Sequence, residues 1–197
     1  MIDLVTSTLM VFLLVGFLQT ALDPKDAEEL LTRNEQTRFL RLFDEAFSDE
    51  LADGTVAVTR NLNFLQITFS DRVLFASAEH RLQRDGRLLL ERCARVLAAA
   101  SATGYEQIQV EGHTDNLTLR RPSYPADNWE LSTARALAVV RFLRETSALE
   151  PAVFSANGYA DHRPVASNRT AAGRARNRRI EIRLFFSVGA GQLGGSR

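Results

Sequence analysis

Val110-Glu111-Gly112-His113-Thr114-Asp115-Asn116, followed after an irregular stretch by Asn128-Trp129-Glu130-Leu131-Ser132-Thr133-Ala134-Arg135, decides the reading of this chain. Alternation up to Gly112 predicts a strand over 107–111, with Ile108 and Val110 on one face. Recurrence of Leu131, Ala134, Leu137, Ala138 and Leu143 at helical spacing predicts a helix over 130–146 that opens near Asn128. Pro122 and Pro125 exclude regular structure between the two, so 116–127 is expected to be a surface loop lining a site. A carboxylate just past a strand end and a guanidinium in the next helix can then face each other across a shallow cleft. Asp115 can accept from an ammonium, and Arg135 can hold a carboxylate through two parallel hydrogen bonds. Backbone amides at the helix opening would add donors for the same carboxylate. The two side chains can equally well form a salt bridge with each other.

On the carboxyl side, a short strand over 153–157, a loop containing Arg163-Pro164, Asn168 and Gly173, and a strand over 179–186 complete the pattern. On the amino side, a helix over 78–100 places Leu82, Leu89, Leu90, Cys93, Val96, Leu97 and Ala100 on one face. It is preceded by alternating segments around Val56 and Val58 and around Leu65, Ile67 and Phe69. Strands thus alternate with two long helices, and the last two strands are expected to join without one. This order predicts an α+β fold, a mixed sheet with both long helices on one face.

Two further segments precede this domain. Residues 4–22 carry no charge and, at ~1.5 Å per residue, nearly span the ~30 Å hydrocarbon core of a bilayer, so a transmembrane helix is expected. With no Lys or Arg ahead of the run and no small-x-small site after it, an uncleaved anchor is favoured over a signal peptide. Asp3 lies at its edge, either in the water interface or as a functional carboxylate within the membrane. Asp23-Pro24 then starts an amphipathic helix that ends near Gly54, with Leu30, Leu31, Phe39, Leu40, Phe43 and Phe47 recurring at helical spacing. The expected division is an anchor over 1–22, a linker helix over 23–54, a compact domain over 55–186 and a flexible tail over 187–197.

Of the 197 residues, 24 are Lys or Arg and 24 are Asp or Glu, yet the balance hides a split. Residues 23–53 hold ten acids against four bases, and residues 161–197 hold eight Arg against two acids. The basic end lacks Lys and aromatic interleaving, so nucleic acid is not the expected partner. The single cysteine, Cys93, falls on the apolar helix face and reads as a buried structural thiol. His113, His80 and His162 share no ligand spacing, so no metal site is expected. Ser132 reads as a cap or first-turn residue, and neither a phosphate loop nor a nucleophile elbow is present. The chain reads as a binding protein that needs no cofactor, and an enzyme is not expected.

Gly112-His-Thr-Asp-Asn116, Asn128-Trp-Glu-Leu-Ser-Thr-Ala-Arg-Ala136, Gly158-Tyr159, Arg163-Pro-Val-Ala-Ser-Asn168 and Gly173-Arg-Ala-Arg-Asn-Arg-Arg-Ile-Glu-Ile182 stand in this order. Together they resemble the OmpA-like peptidoglycan-binding domain. The resemblance implies a non-covalent grip on the diaminopimelate of the peptide stem, with Asp115 at the ammonium position and Arg135 at the carboxylate position. It implies supporting roles for Asn128, Thr114 and Leu131, and for the basic pair Arg178 and Arg179. The segment Asp3-Leu-Val-Thr6 with its apolar continuation looks like the membrane helix of the flagellar stator B subunit. That likeness implies a single-pass inner-membrane protein with its carboxyl-terminal domain in the periplasm. It also implies a homodimer, a multi-span A-type partner and a proton carried by Asp3. The architecture serves flagellar motors and, in a related form, the Zorya anti-phage system. A passive envelope tether without ion flow is the alternative.

Overall fold

The computed structural model describes residues 10, 24–100, 105–119 and 124–186. Apart from Met10, the expected anchor over 4–22 lies outside the described residues, as do Asp3 and the tail over 187–197. No helix among the described residues is long and apolar enough to cross a membrane.

The chain runs α1 (Pro24–Ala52), β1 (Val56–Arg60), β2 (Phe64–Ser70), a single turn α2 (Asp71–Leu74), α3 (Arg84–Ala100), β3 (Tyr105–His113), α4 (Asn128–Thr146), a 3-10 turn (Pro151–Val153), β4 (Phe154–Gly158), α5 (Ala171–Asn177) and β5 (Arg179–Phe186). The five strands form one mixed sheet in the order β1-β2-β5-β3-β4. Only β3 and β4 run parallel, joined by α4 as the crossover. Alternation sets the two faces: Ile180, Ile182, Leu184 and Phe186 of β5 are buried with Leu65, Ile67 and Phe69 of β2 and Ile108 and Val110 of β3. The helices α3 and α4 cover that face, as expected.

Three expectations are corrected. First, α1 is part of the domain core, so the boundary expected near Gly54 does not divide the packing. Phe39, Phe43 and Phe47 are fully buried. Their rings form a ladder with centroid separations of 5.8 and 4.3 Å that ends edge-on against Phe69 of β2 at 6.3 Å. Burying such rings contributes roughly 1.5–3 kcal/mol each, which fixes the helix to the sheet. Gln36 donates to the carbonyls of Asn61 and Leu62 at 3.1 and 3.3 Å and accepts from Arg60 Nε at 2.8 Å, pinning α1 to the β1–β2 hairpin. Leu30 and Leu31, in the same stripe, are exposed. Second, the helix expected over 78–100 begins only at Arg84. Ala78 has a left-handed φ of 57°, and Gln83 N donates to Leu74 O at 3.0 Å, so 76–83 is a loop. Third, β4 and β5 are joined by a short helix, α5, whose N-cap Thr170 accepts from Gly173 N at 3.0 Å.

Two glycines let α4 sit close on the sheet. Gly112 and Gly158 are register partners on β3 and β4. A Cβ on Gly112 would meet Ser132 O at 2.1 Å, and one on Gly158 would meet Thr133 Oγ1 at 2.2 Å. Ser132 is buried there, accepting from Ala160 N at 3.0 Å, so its hydroxyl ties the helix to the turn after β4 instead of capping the helix. The cap is Asp127, which accepts from Glu130 N at 2.8 Å. The close approach sets the opening of α4 beside the loop after β3.

Candidate functional site

Beyond the end of β3, a cavity of about 490 Å³ opens between α2, the 76–83 loop, the loop after β3 and the start of α4. Thr114, Asp115, Asn128, Leu131, Arg135 and Arg178 all line it, so six of the seven expected binding residues meet in one place. Arg179 does not. It is buried on the other side of the sheet, where its Nε donates to Glu181 Oε1 at 2.6 Å. The parity of β5 carries this split, since Arg179 shares a face with Glu181 and Arg183.

Asp115 and Arg135 do not pair with each other. Arg178 Nη1 lies 2.5 Å from Asp115 Oδ2, while Leu117 N donates to Asp115 Oδ1 at 3.0 Å. Asn128 Nδ2 donates to the carbonyls of Asp115 and Leu117, both at 3.1 Å, locking the loop to the opening of α4. Arg135 is 2% exposed and forms an ion pair at 2.8 Å with Asp71 Oδ1, a residue that the sequence reading did not single out. Its Nε donates to Glu79 O at 2.8 Å and its Nη2 to Ala76 O at 3.5 Å, and its guanidinium lies 5.1 Å from the centroid of the Phe75 ring. A guanidinium has five N–H donors, and these three polar contacts take three of them. Thr114 Oγ1 is buried with no hydrogen-bond partner, a second unspent polar group in the wall.

Five charged side chains line the cavity, with Asp71 paired to Arg135, Asp115 paired to Arg178, and Arg72 beside them. Burial pushes the Asp71 carboxyl up from 3.8 to about 6, against the opposing pull of Arg135 and Arg178, and the Asp115 charge adds to the rise. Burial also lowers the Arg135 guanidinium from its usual value, with Asp71 pulling the other way. The only signal for Asp71 in the sequence was a carboxylate directly after a predicted strand.

A second cluster lies on the sheet face away from α3 and α4. Glu111 of β3 and Glu181 of β5 are register partners and are buried. Arg183 spans them, with Nη1 3.0 Å from Glu111 and Nη2 3.0 Å from Glu181. His113 Nε2 stands 3.6 and 3.8 Å from the same two carboxylates. These three side chains form the one group among the described residues that could present donors to a metal ion, an arrangement the histidine spacing alone did not reveal. Arg179 and Arg183 already balance both carboxylates, however, so a divalent cation would add uncompensated positive charge. Burial raises the Glu111 carboxyl, but His113, Arg183 and Arg163 outweigh it and hold the group below its ordinary value. Asn177 fastens the loop over this cluster, accepting from Val165 N and Ala166 N at 2.9 Å each and donating to Ala166 O at 2.8 Å. Cys93 is buried in the core, which pushes its thiol up to about 12.

Comparison with known proteins places the domain in a family. The OmpA family pattern matches residues 74–178, which hold Thr114, Asp115, Asn128, Leu131, Arg135 and Arg178. Motility protein B of Bacillus subtilis is 35% identical over 128 residues, 65% of this chain and 47% of that protein, so the chain spans about half of its length. The solved cell wall anchor of the T6SS from Pseudomonas aeruginosa is 35% identical, with a TM-score of 0.63 over 73% of this chain and 96% of that one. The periplasmic domain of Helicobacter pylori MotB is 26% identical, with a TM-score of 0.60 over 70% and 85%. With the family pattern covering more than half of the 197 residues and all six residues gathered at the cavity, the chain belongs to the OmpA family.

Proposed function

We propose that the chain binds peptidoglycan non-covalently by taking the zwitterionic end of diaminopimelate into the cavity between Asp115 and Arg135. The observation that carries this reading is that the two ion pairs Asp71–Arg135 and Asp115–Arg178 line one cavity, with donors of Arg135 outside its three contacts. An incoming ammonium competes with Arg178 for Asp115, and an incoming carboxylate takes the free N–H groups of Arg135. Asn128 holds the loop in place, Thr114 offers its hydroxyl and Leu131 supplies an apolar floor for the methylene chain. Likeness to a cell wall anchor and to MotB supports the wall as the ligand's source.

The rest of the proposal follows the MotB likeness. Residues 4–22 anchor the chain in the inner membrane with the domain in the periplasm. The chain forms a homodimer beside a multi-span A-type partner, and Asp3 carries the proton. It thereby fixes a stator-like complex, of a flagellar motor or a Zorya-type defence system, to the wall. If Asp3→Asn leaves complex function intact while Asp115→Ala abolishes it, the passive tether replaces the conducting subunit.

The binding claim is tested by co-sedimentation of the full chain with purified sacculi. Wild-type protein is expected to sediment, and Asp115→Ala, confirmed folded by circular dichroism, to remain in solution. Amidation of the diaminopimelate carboxylate is expected to release the wild type. Undiminished sedimentation of Asp115→Ala, or on amidated sacculi, refutes the assignment.

A further inference from the structure

Next to the cavity of the proposed site lies a second recess of about 410 Å³, between the outer face of β1 and β2 and one side of α5. Arg72 and Arg178 line both, so the two are compartments of one cleft divided by these side chains. Their chemistry differs. The first compartment holds two carboxylates, Asp71 and Asp115, each already facing an arginine. No acidic residue lines the second, where Arg176 joins Arg72 and Arg178 above Thr68, Ser70 and small alanines of α5. Neither the Arg72 nor the Arg176 guanidinium makes an ion pair or hydrogen bond with a described residue. Arg178 is ion-paired with Asp115 and remains 37% exposed, and Arg72 lies within the field of Asp53 without an ion pair.

We infer that this second recess is an anion subsite, which takes a further carboxylate of the same peptide ligand whose diaminopimelate end occupies the first compartment. The inference rests on the proposed diaminopimelate reading and extends it from a single residue to an acidic peptide. A ligand with ammonium and carboxylate at one end is satisfied by the first compartment. A carboxylate one residue further along meets the guanidinium groups of Arg176, Arg72 and Arg178, of which Arg178 also faces Asp115 and Arg72 also lies within the field of Asp53, and the hydroxyls of Thr68 and Ser70 can complete its hydrogen bonds. Side chains this exposed contribute modestly each, so the expected preference is roughly three- to tenfold, larger at low ionic strength.

The test is calorimetric titration of the full chain with three ligands. These are free diaminopimelate, a peptide joining glutamate to diaminopimelate with its glutamate carboxylate free, and the same peptide with that carboxylate amidated. The acidic peptide is expected to bind roughly three- to tenfold more tightly than the amidated one. Arg176→Ala should erase that difference while leaving free diaminopimelate unaffected, and Arg176→Glu should reverse it. Equal binding of the two peptides by the wild type, or a preference that survives both substitutions, overturns the subsite. Failure of the underlying reading is separate: Asp115→Ala would then leave the binding of free diaminopimelate unchanged, and the subsite would fall with it.

Discussion

The two charge clusters on either side of the sheet use the same residue types to opposite ends. On the outer face, Glu111 and Glu181 are closed in by Arg183, Arg179 and His113, with Tyr159 stacked on His113 at 5.4 Å. At the end of β3, Asp71, Arg135, Asp115 and Arg178 ring a cavity, and Arg135 and Thr114 retain unspent polar capacity. A network whose carboxylates are balanced by arginines of the same sheet face holds strands together, whereas ion pairs that line a cavity are suited to exchange a partner for a ligand. The difference lies in access, since both clusters contain buried carboxylates and guanidinium groups.

The largest effect expected from that contrast comes from the sealed cluster. Glu181→Ala leaves the buried Arg179 without an anion and Arg183 with Glu111 alone, and should cost roughly 3–5 kcal/mol in urea unfolding. The fraction still folded should sediment with sacculi as the wild type does. A loss below ~1 kcal/mol would mean that the network is weakly coupled to the fold.

Next comes the pH dependence of Asp71. Its carboxyl ionises near 6 in the folded chain against an ordinary 3.8. Between those values the folded state binds more protons than the unfolded state. The group therefore favours folding fully below the ordinary value, and that contribution is lost as pH rises through about 6. Asp71→Asn removes the effect, so the stability of the variant relative to wild type should rise by roughly 2–3 kcal/mol between acid and neutral pH. A constant difference across that window would show that Arg135 holds Asp71 ionised throughout.

A smaller stability effect is expected at the mouth of the cleft. Asp115→Ala breaks a pair whose arginine is 37% exposed and should cost about 1 kcal/mol or less, while removing wall binding. A cost comparable to that of Glu181→Ala would make Asp115 a structural residue and erase the distinction between the clusters.

What was legible in the sequence was periodic or local. Strand β5 was bounded correctly because its polar-apolar alternation runs from Arg179 to Leu184 before an apolar end, and α4 was recognisable from its helical stripe. Asp115, Asn128, Arg135 and Arg178 converge because the loop after β3, the start of α4 and the start of β5 meet at one end of the sheet. Pairings across the chain were not legible. Asp71 meets Arg135 through tertiary packing alone, and Glu181 stands opposite Glu111 only once β5 lies antiparallel to β3. The linker helix was drawn apart because its stripe has no partner until β2 supplies Phe69. The start of α3 was misplaced because apolar Leu82 fits the helical period, whereas it forms a bridge with Phe75 outside the helix. Glu79, read as part of that helix, instead supplies from the loop one of the carbonyls that hold Arg135, alongside Ala76.

The most direct test of the central claim is the affinity of the full chain for two stem peptides that differ only in carrying diaminopimelate or lysine at the same position. Lysine keeps the ammonium and lacks the carboxylate beside it, so Arg135 loses its ligand. The cleft as described should bind the diaminopimelate peptide roughly tenfold or more tightly than the lysine peptide, since a charge-assisted hydrogen bond contributes about 1.5–3 kcal/mol. Asp115→Ala should weaken both. Equal affinity for the two peptides, or binding unchanged by Asp115→Ala, would contradict the zwitterion site.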